Sequence, residues 1–163
     1  ALQEAAVQQL REYVRRHANT FSRIERAEAP FSFSLGEHIL LGKIDLIRRA
    51  DEGGVEIVDF KTAKSLLLSV GQIDAQLDLY ALGVETDLGE WVRRQTVHFL
   101  GDGQVTTWKW SAKRAEMARA GFATILDRIT RREFTPRTAY CPTCQEFAAI
   151  CPYALEHPGP AKE

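Results

Sequence analysis

The stretch HILLGKIDLIRRADEGGVEIVDFKT, residues 38–62, constrains this chain more than any other. Residues 38–49 and 55–61 are apolar runs rich in β-branched residues, and the five residues ADEGG between them are turn-formers. Two such runs around a short glycine-bearing turn make an antiparallel hairpin. A three-residue loop, Asp51-Glu52-Gly53, puts Gly53 at the left-handed position that loops of this length favour. Ala50 then faces Gly54, and the register carries Asp45 opposite Asp59 and Lys43 opposite Lys61. Opposed side chains share a face, with Cβ atoms about 4.5–5.5 Å apart. A two-residue loop would reverse the parity and send Asp45 to the other side.

Two carboxylates facing each other repel, and the sheet loses stability by it. A divalent cation reverses that sign. Oxygen ligands suit Mg²⁺, which takes one or two carboxylates and keeps waters for a substrate phosphate. Such a cation lowers the pKa of bound water and stabilises charge on a phosphoryl oxygen. Lys61, on the same face, could hold the attacking water or neutralise developing charge. As a pair alone, Asp45 and Asp59 fit solvated strand ends equally well. In QLDLY, Gln76 and Tyr80 stand at i and i+4 on one stripe of the next helix. They could bind phosphate or hold the lysine, and an amphipathic helix with two ordinary edge residues also accounts for them.

Around the hairpin, periodicity predicts a helix over residues 2–17 and a strand over 23–35 broken or bent at Pro30. It predicts a second helix over 69–86, carrying Ile73, Leu77, Tyr80, Ala81 and Val84 on one side. QTVHFLG and QVTTWKW form a further hairpin, and a last helix runs over 111–133 with Ser111 as its cap. Helix, three strands, helix, two strands, helix is an α+β pattern, a mixed sheet flanked by helices. The 163 residues suffice for one domain with a real core. No apolar run nears the roughly 20 residues of a membrane span. A net charge of −1 excludes an overall basic protein, so any DNA contact must come from a local row of Lys and Arg.

In order and spacing, GKIDLI, EIVDFKT, QLDLYALG and REFTPRTAYCPTC…CPY resemble the RecB-type nuclease domain of the PD-(D/E)XK superfamily. The resemblance runs from about Pro30 to Tyr153 and implies a restriction-endonuclease-like core. It implies that Asp45 and Asp59 bind the metal with the backbone carbonyl of Phe60, and that Lys61 is the catalytic lysine. Gln76 and Tyr80 would support the lysine and the DNA backbone. The family hydrolyses DNA phosphodiester bonds with Mg²⁺ or Mn²⁺. Members are commonly C-terminal domains of helicase–nuclease machines that process double-strand breaks, so DNA and a helicase domain or subunit are the implied partners. One departure stands out. Such domains usually carry a further metal-site histidine on an upstream helix, in a Gly-x-x-x-His context. Neither His17 nor His38 lies in one. With its uncapped helical start, the chain reads as a piece of something longer, with an incomplete helix over 1–18 and the missing histidine expected before residue 1.

The three cysteines all fall within residues 141–151 of the tail 134–163. That clustering, with no secretion segment, suggests a reducing, cytoplasmic setting and a metal site or none. Cys141, Cys144 and Cys151 resemble the tail ligands of the family's iron–sulfur branch, whose [4Fe-4S] cluster would need a fourth cysteine from outside this chain. With His157 they could instead form a Cys₃His zinc set, or they could simply pack the tail. Lys113, Arg114, Arg119, Arg128, Arg131, Arg132 and Arg137 could follow a DNA backbone, although such charges more often make a solvated helix face. Trp108 and Trp110 fit core better than a base-stacking platform. Two further readings remain at this point. One is a DNA-binding module without turnover, and the other is a structural or partner-docking domain of a helicase with a metal-stapled tail.

Overall fold

The elements fall where the periodicity puts them, with differences at their ends. The computed structural model describes residues 2–65, 70–135 and 150–151. Along the chain come α1 (Leu2–His17), β1 (Ile24–Leu35), β2 (His38–Arg49), β3 (Val55–Lys61) and α2 (Val70–Gly83), then β4 (Val92–Phe99), β5 (Gln104–Lys109) and α3 (Ala112–Thr130). The five strands form one sheet in the order β1-β2-β3-β4-β5. Neighbours are antiparallel except β3 and β4, which are parallel. A parallel pair needs a long crossover, and α2 lies within it.

The register of the β2–β3 hairpin is the one its turn dictates. Arg49 pairs with Val55, Arg48 with Glu56, Ile47 with Ile57 and Leu46 with Val58. The Ala50 N–H donates to Gly54 O at 3.0 Å. Gly53 and Gly54 have φ of +80° and +71°, where a Cβ is penalised. At Gly54 a Cβ would also sit 2.4 Å from Trp91 O, so both conformation and space require glycine there.

The strand is not broken at Pro30, and the positive φ in this stretch, +52°, lies at Glu28. β1 runs through it with Pro30 in register against Lys43, and the irregularity lies between Ile24 and Arg26. On an edge strand, proline's missing N–H can face solvent and interrupts no ladder. The second helix stops at Gly83 as an α-helix, and a π turn, Val84–Leu88, carries it on. Ser111 caps α3 as expected, its Oγ accepting the Arg114 N–H at 3.2 Å. Ile73, Leu77, Tyr80, Ala81 and Val84 are all buried. They join Phe31, Ile57, Val97 and Phe99 in the core. Trp110 is buried in the same cluster, with Trp108 half-buried against it.

Side chains alternate along β3, so Glu56 and Phe60 face away from α2. Glu56 is 2% exposed. Arg48 reaches it with Nε and Nη2 at 2.9 and 3.0 Å, Arg94 approaches Oε2 at 3.0 Å, and Thr96 donates to Oε1 at 2.6 Å. Burial works to raise its pKa, but these donors outweigh burial and hold it at about 2. By contacts, Ala1–Thr124 form one compact unit containing the whole sheet, and Ile125–Glu163 form a second. Within the second, Arg131 pairs with Asp127 at 3.0 Å. Among the described residues no helix is long and apolar enough to cross a membrane.

Candidate active site

The candidate site lies where β2 and β3 part. Their ladder runs to Leu46 and Val58, and just past it the Phe60 N–H donates to Asp45 Oδ2 at 2.8 Å. Asp45 therefore stays bound to β3 through its side chain, one residue beyond the predicted partner Asp59. Lys43 departs from expectation. It pairs across to Pro30 of β1, and its ammonium forms an exposed ion pair with Glu28. It does not join Lys61, because a strand that leaves one neighbour keeps only the other to fix its side chains.

Asp59 is 2% exposed, and its Oδ2 is buried without a hydrogen-bond partner. The Lys61 ammonium lies 2.9 Å from that oxygen. The two form an ion pair, and the lysine works to lower the Asp59 pKa. Lys61 Nζ donates to Gln76 Oε1 at 2.7 Å, and Gln76 Nε2 donates to the Tyr80 hydroxyl at 2.6 Å. One turn of α2 supplies both partners, since residues four apart lie on one stripe. Tyr80 is buried at 8% exposure.

The electrostatics join these groups into one cluster. Burial raises the Asp59 pKa; Lys61 works against it, while the charge of Asp45 adds to it, and the net shift is upward. Burial likewise raises Tyr80, with the Gln76 contact opposing and the charges of Asp59 and Asp45 reinforcing. Asp59 and Tyr80 thus both sense Asp45. Two carboxylates against one ammonium leave the cluster with an excess of negative charge. Hard oxygen donors of this kind suit a small divalent cation. Among the described residues no group of three His, Cys, Asp or Glu converges as a metal site. A cation here would therefore take its other ligands from backbone carbonyl and water.

The described histidines, His17, His38 and His98, lie apart from this cluster. His38 opens β2 opposite Leu35. The His17 ring centroid is 4.6 Å from that of His98, and Tyr13 packs edge-on to both Phe60 and His98. His98 is in register with Phe60, so it occupies the face opposite Asp59 and Lys61. Sequence reasoning missed it. Burial first, then the charges of His17 and Arg48, lower the pKa of His98 to about 4. Its only advance signal was period-2 placement in an apolar strand. A cavity of about 300 Å³ borders this cluster between α1 and the β4–β5 turn, and Asp45, Asp59 and Lys61 are not among its walls.

Several cations of the last helix are engaged within the protein. Arg114 reaches Asp78 at 2.6 Å and Arg119 reaches Thr86 at 3.1 Å, while in the second unit Arg128 faces Glu133 at 3.7 Å. Cys151 is half-buried and free. Cys141, Cys144, Arg137 and His157 lie outside the described residues.

Residues 1–152 match the sequence profile of the PD-(D/E)XK nuclease superfamily. No curated protein sequence matches the chain. Among solved structures, SSO0001 is similar with a TM-score of 0.52 and 18% identity, covering 90% of this chain and 68% of that one. A protein of Eubacterium rectale, named as a candidate exonuclease, is similar with a TM-score of 0.51 and 15% identity. That likeness covers 96% of this chain and 62% of the other, so the chain spans less than two thirds of that neighbour. At these identities the likeness carries the fold, a mixed sheet with helices on its faces.

Proposed function

The chain belongs to the PD-(D/E)XK nuclease superfamily, and on that premise we propose that it is a Mg²⁺- or Mn²⁺-dependent deoxyribonuclease with Asp45, Asp59, Lys61, Gln76 and Tyr80 in its active site. The observation that carries the reading is the buried Asp59 carboxylate, with the Lys61 ammonium 2.9 Å from its Oδ2 and the charge of Asp45 close enough to raise its pKa. Asp45, Asp59 and the Phe60 carbonyl would hold the cation. When bound, it supplies Lewis acidity and a water of lowered pKa.

The chain's own residues do the rest. Lys61 has three ammonium hydrogens. Gln76 takes one, Asp59 lies 2.9 Å from the same nitrogen, and the remaining donor capacity would be available to a phosphate. Charge that develops on the phosphate during attack is met by an ammonium already in place, so little reorganisation is needed. Tyr80 holds the Gln76 amide, and the Gln76 carbonyl oxygen thereby stays aimed at the lysine. The motif order further supports a place in a helicase–nuclease that processes double-strand breaks, with a helicase domain or subunit as partner and residues 1–163 as its nuclease domain.

Cleavage of linear and circular DNA by the purified chain, with Mg²⁺, Mn²⁺ or chelator, tests this. The parent should cut only with metal. Asp59→Ala and Lys61→Ala should each lose on the order of 10³-fold or more in rate while their thermal melts remain cooperative. Equal cutting by these variants and the parent would reject the assignment. DNA binding without products at any metal concentration would favour the non-catalytic module.

A further inference from the structure

The segment leaving Lys61 is held by a turn that none of the site residues belongs to. β3 ends at Lys61, whose carbonyl accepts the Leu100 N–H at 2.8 Å. Next along the turn, Gly101 lies against the backbone of that segment. A Cβ on it would stand 2.8 Å from Thr62 O and 3.0 Å from the Ala63 carbonyl carbon. Asp102 then grips the far end. Its Oδ2 accepts both the Ser65 N–H and the Ser65 hydroxyl at 2.8 Å, while its Oδ1 accepts the Gln104 N–H at 3.1 Å. The Gly103 N–H donates to Phe99 O at 2.7 Å and closes the turn on β4.

An exposed aspartate that satisfies two donors of one residue 37 positions away is a clamp across the loop. Lys61 is therefore restrained from two directions, its ammonium by Gln76 and its backbone by the β4–β5 turn. We propose that Asp102, with Gly101, is a positioning residue that sets the Lys61 ammonium against Asp59 by fixing the Thr62–Ser65 segment. This rests on the nuclease reading above. Asp102 touches neither carboxylate of the site. It acts on the origin of the Lys61 side chain, where a small backbone displacement is carried out to Nζ.

The test pairs cleavage with a readout at the lysine itself. Heteronuclear NMR of the Lys61 side chain reports the exchange of its ammonium protons. In Asp102→Ala, exchange should speed at least tenfold or so, as expected when a charged hydrogen bond worth a factor of that order is loosened. Single-turnover cleavage should fall by roughly 10–100-fold, the scale of an ångström-sized misplacement, with DNA affinity within about twofold. Asp102→Asn keeps an acceptor for Ser65 and should recover most of the rate. A folded Asp102→Ala with parental Lys61 resonances and parental cleavage overturns the proposal. Should Asp102→Ala fail to fold, Ser65→Ala loses one of the two bonds to the same oxygen and is read by the same two measurements. The two readings separate through Asp59→Ala. If that variant cuts like the parent while Asp102→Ala loosens Lys61, the clamp stands and the nuclease site is wrong. If Asp59→Ala is inactive and Asp102→Ala is parental, the reverse holds.

Discussion

Burying a charged carboxylate is costly unless it is paired, and at Asp59 the Lys61 ammonium opposes that cost while the charge of Asp45 adds to it. In the proposed reading a bound cation would offset the remainder. Gln76 belongs to the same argument. Gln76→Ala leaves the Lys61 ammonium one acceptor short. Turnover should fall by about 10–100-fold, as for a hydrogen bond to a charged group worth roughly 1.5–3 kcal/mol, with little change in KM. Steady-state kinetics of the variant checks it. His98 makes a different prediction. Its folded pKa, about 4, lies below the ordinary imidazole value of 6.5, so between these values the unfolded chain binds more protons than the folded one. Stability is complete above about pH 6.5 and declines as pH falls through 4, by on the order of 3 kcal/mol at most. Urea melts from pH 7 to 4 should show this slope in the parent and lose most of it in His98→Phe. At this scale the placement of Asp45, Asp59 and Lys61 beside Gln76 and Tyr80 was legible from strand parity and helical spacing, while their roles rest on the family resemblance. His98 was not, since its character comes from Tyr13 and His17 across the fold.

The hairpin was readable as an element because its loop length fixes its register, and register fixes faces. The same pairing that faces Asp45 toward β3 also sets Arg48 against Glu56. That buried ion pair could have been drawn from the turn alone, and following the acids obscured it. The turn is also where the element can be broken. Gly54→Ala meets both a left-handed φ and the Trp91 carbonyl. It should cost about 2–4 kcal/mol and lower Tm by roughly 5–15 °C, measured by calorimetry. Pro30 was misread because a proline's effect depends on whether its strand is an edge, a property of the sheet that local sequence does not carry. The partial separation of β2 from β3 was missed for a related reason. Ideal register extends a ladder indefinitely, whereas in the fold β2 follows β1 beyond Leu46 and Lys43 goes with it.

Across the whole molecule, α2 and α1 cover opposite faces of one sheet, and the parting of β2 and β3 opens the site toward the α2 side. Contacts distant in sequence, such as Asp102 with Ser65 or Tyr13 with His98, left no periodic trace and required the fold to appear. Glu56 extends the acid sensitivity. Its pKa is held at about 2, below the ordinary carboxylate value of 4.5, so its contribution is present above about 4.5 and is lost as pH falls through 2. Glu56→Gln should flatten the acid limb below that of His98, as read by circular dichroism from pH 5 to 2. Cation binding should act on the whole fold by mass action. At a Mn²⁺ concentration a hundred times its Kd, the parent gains about 2.7 kcal/mol, and Asp59→Ala gains none. The most direct test of the central claim is a Mn²⁺-soaked crystal read by anomalous scattering. The account predicts one peak within coordination distance of carboxylate oxygens from both Asp45 and Asp59. A peak bound to neither, or to only one with the other carboxylate turned to the opposite face of the sheet, would contradict it.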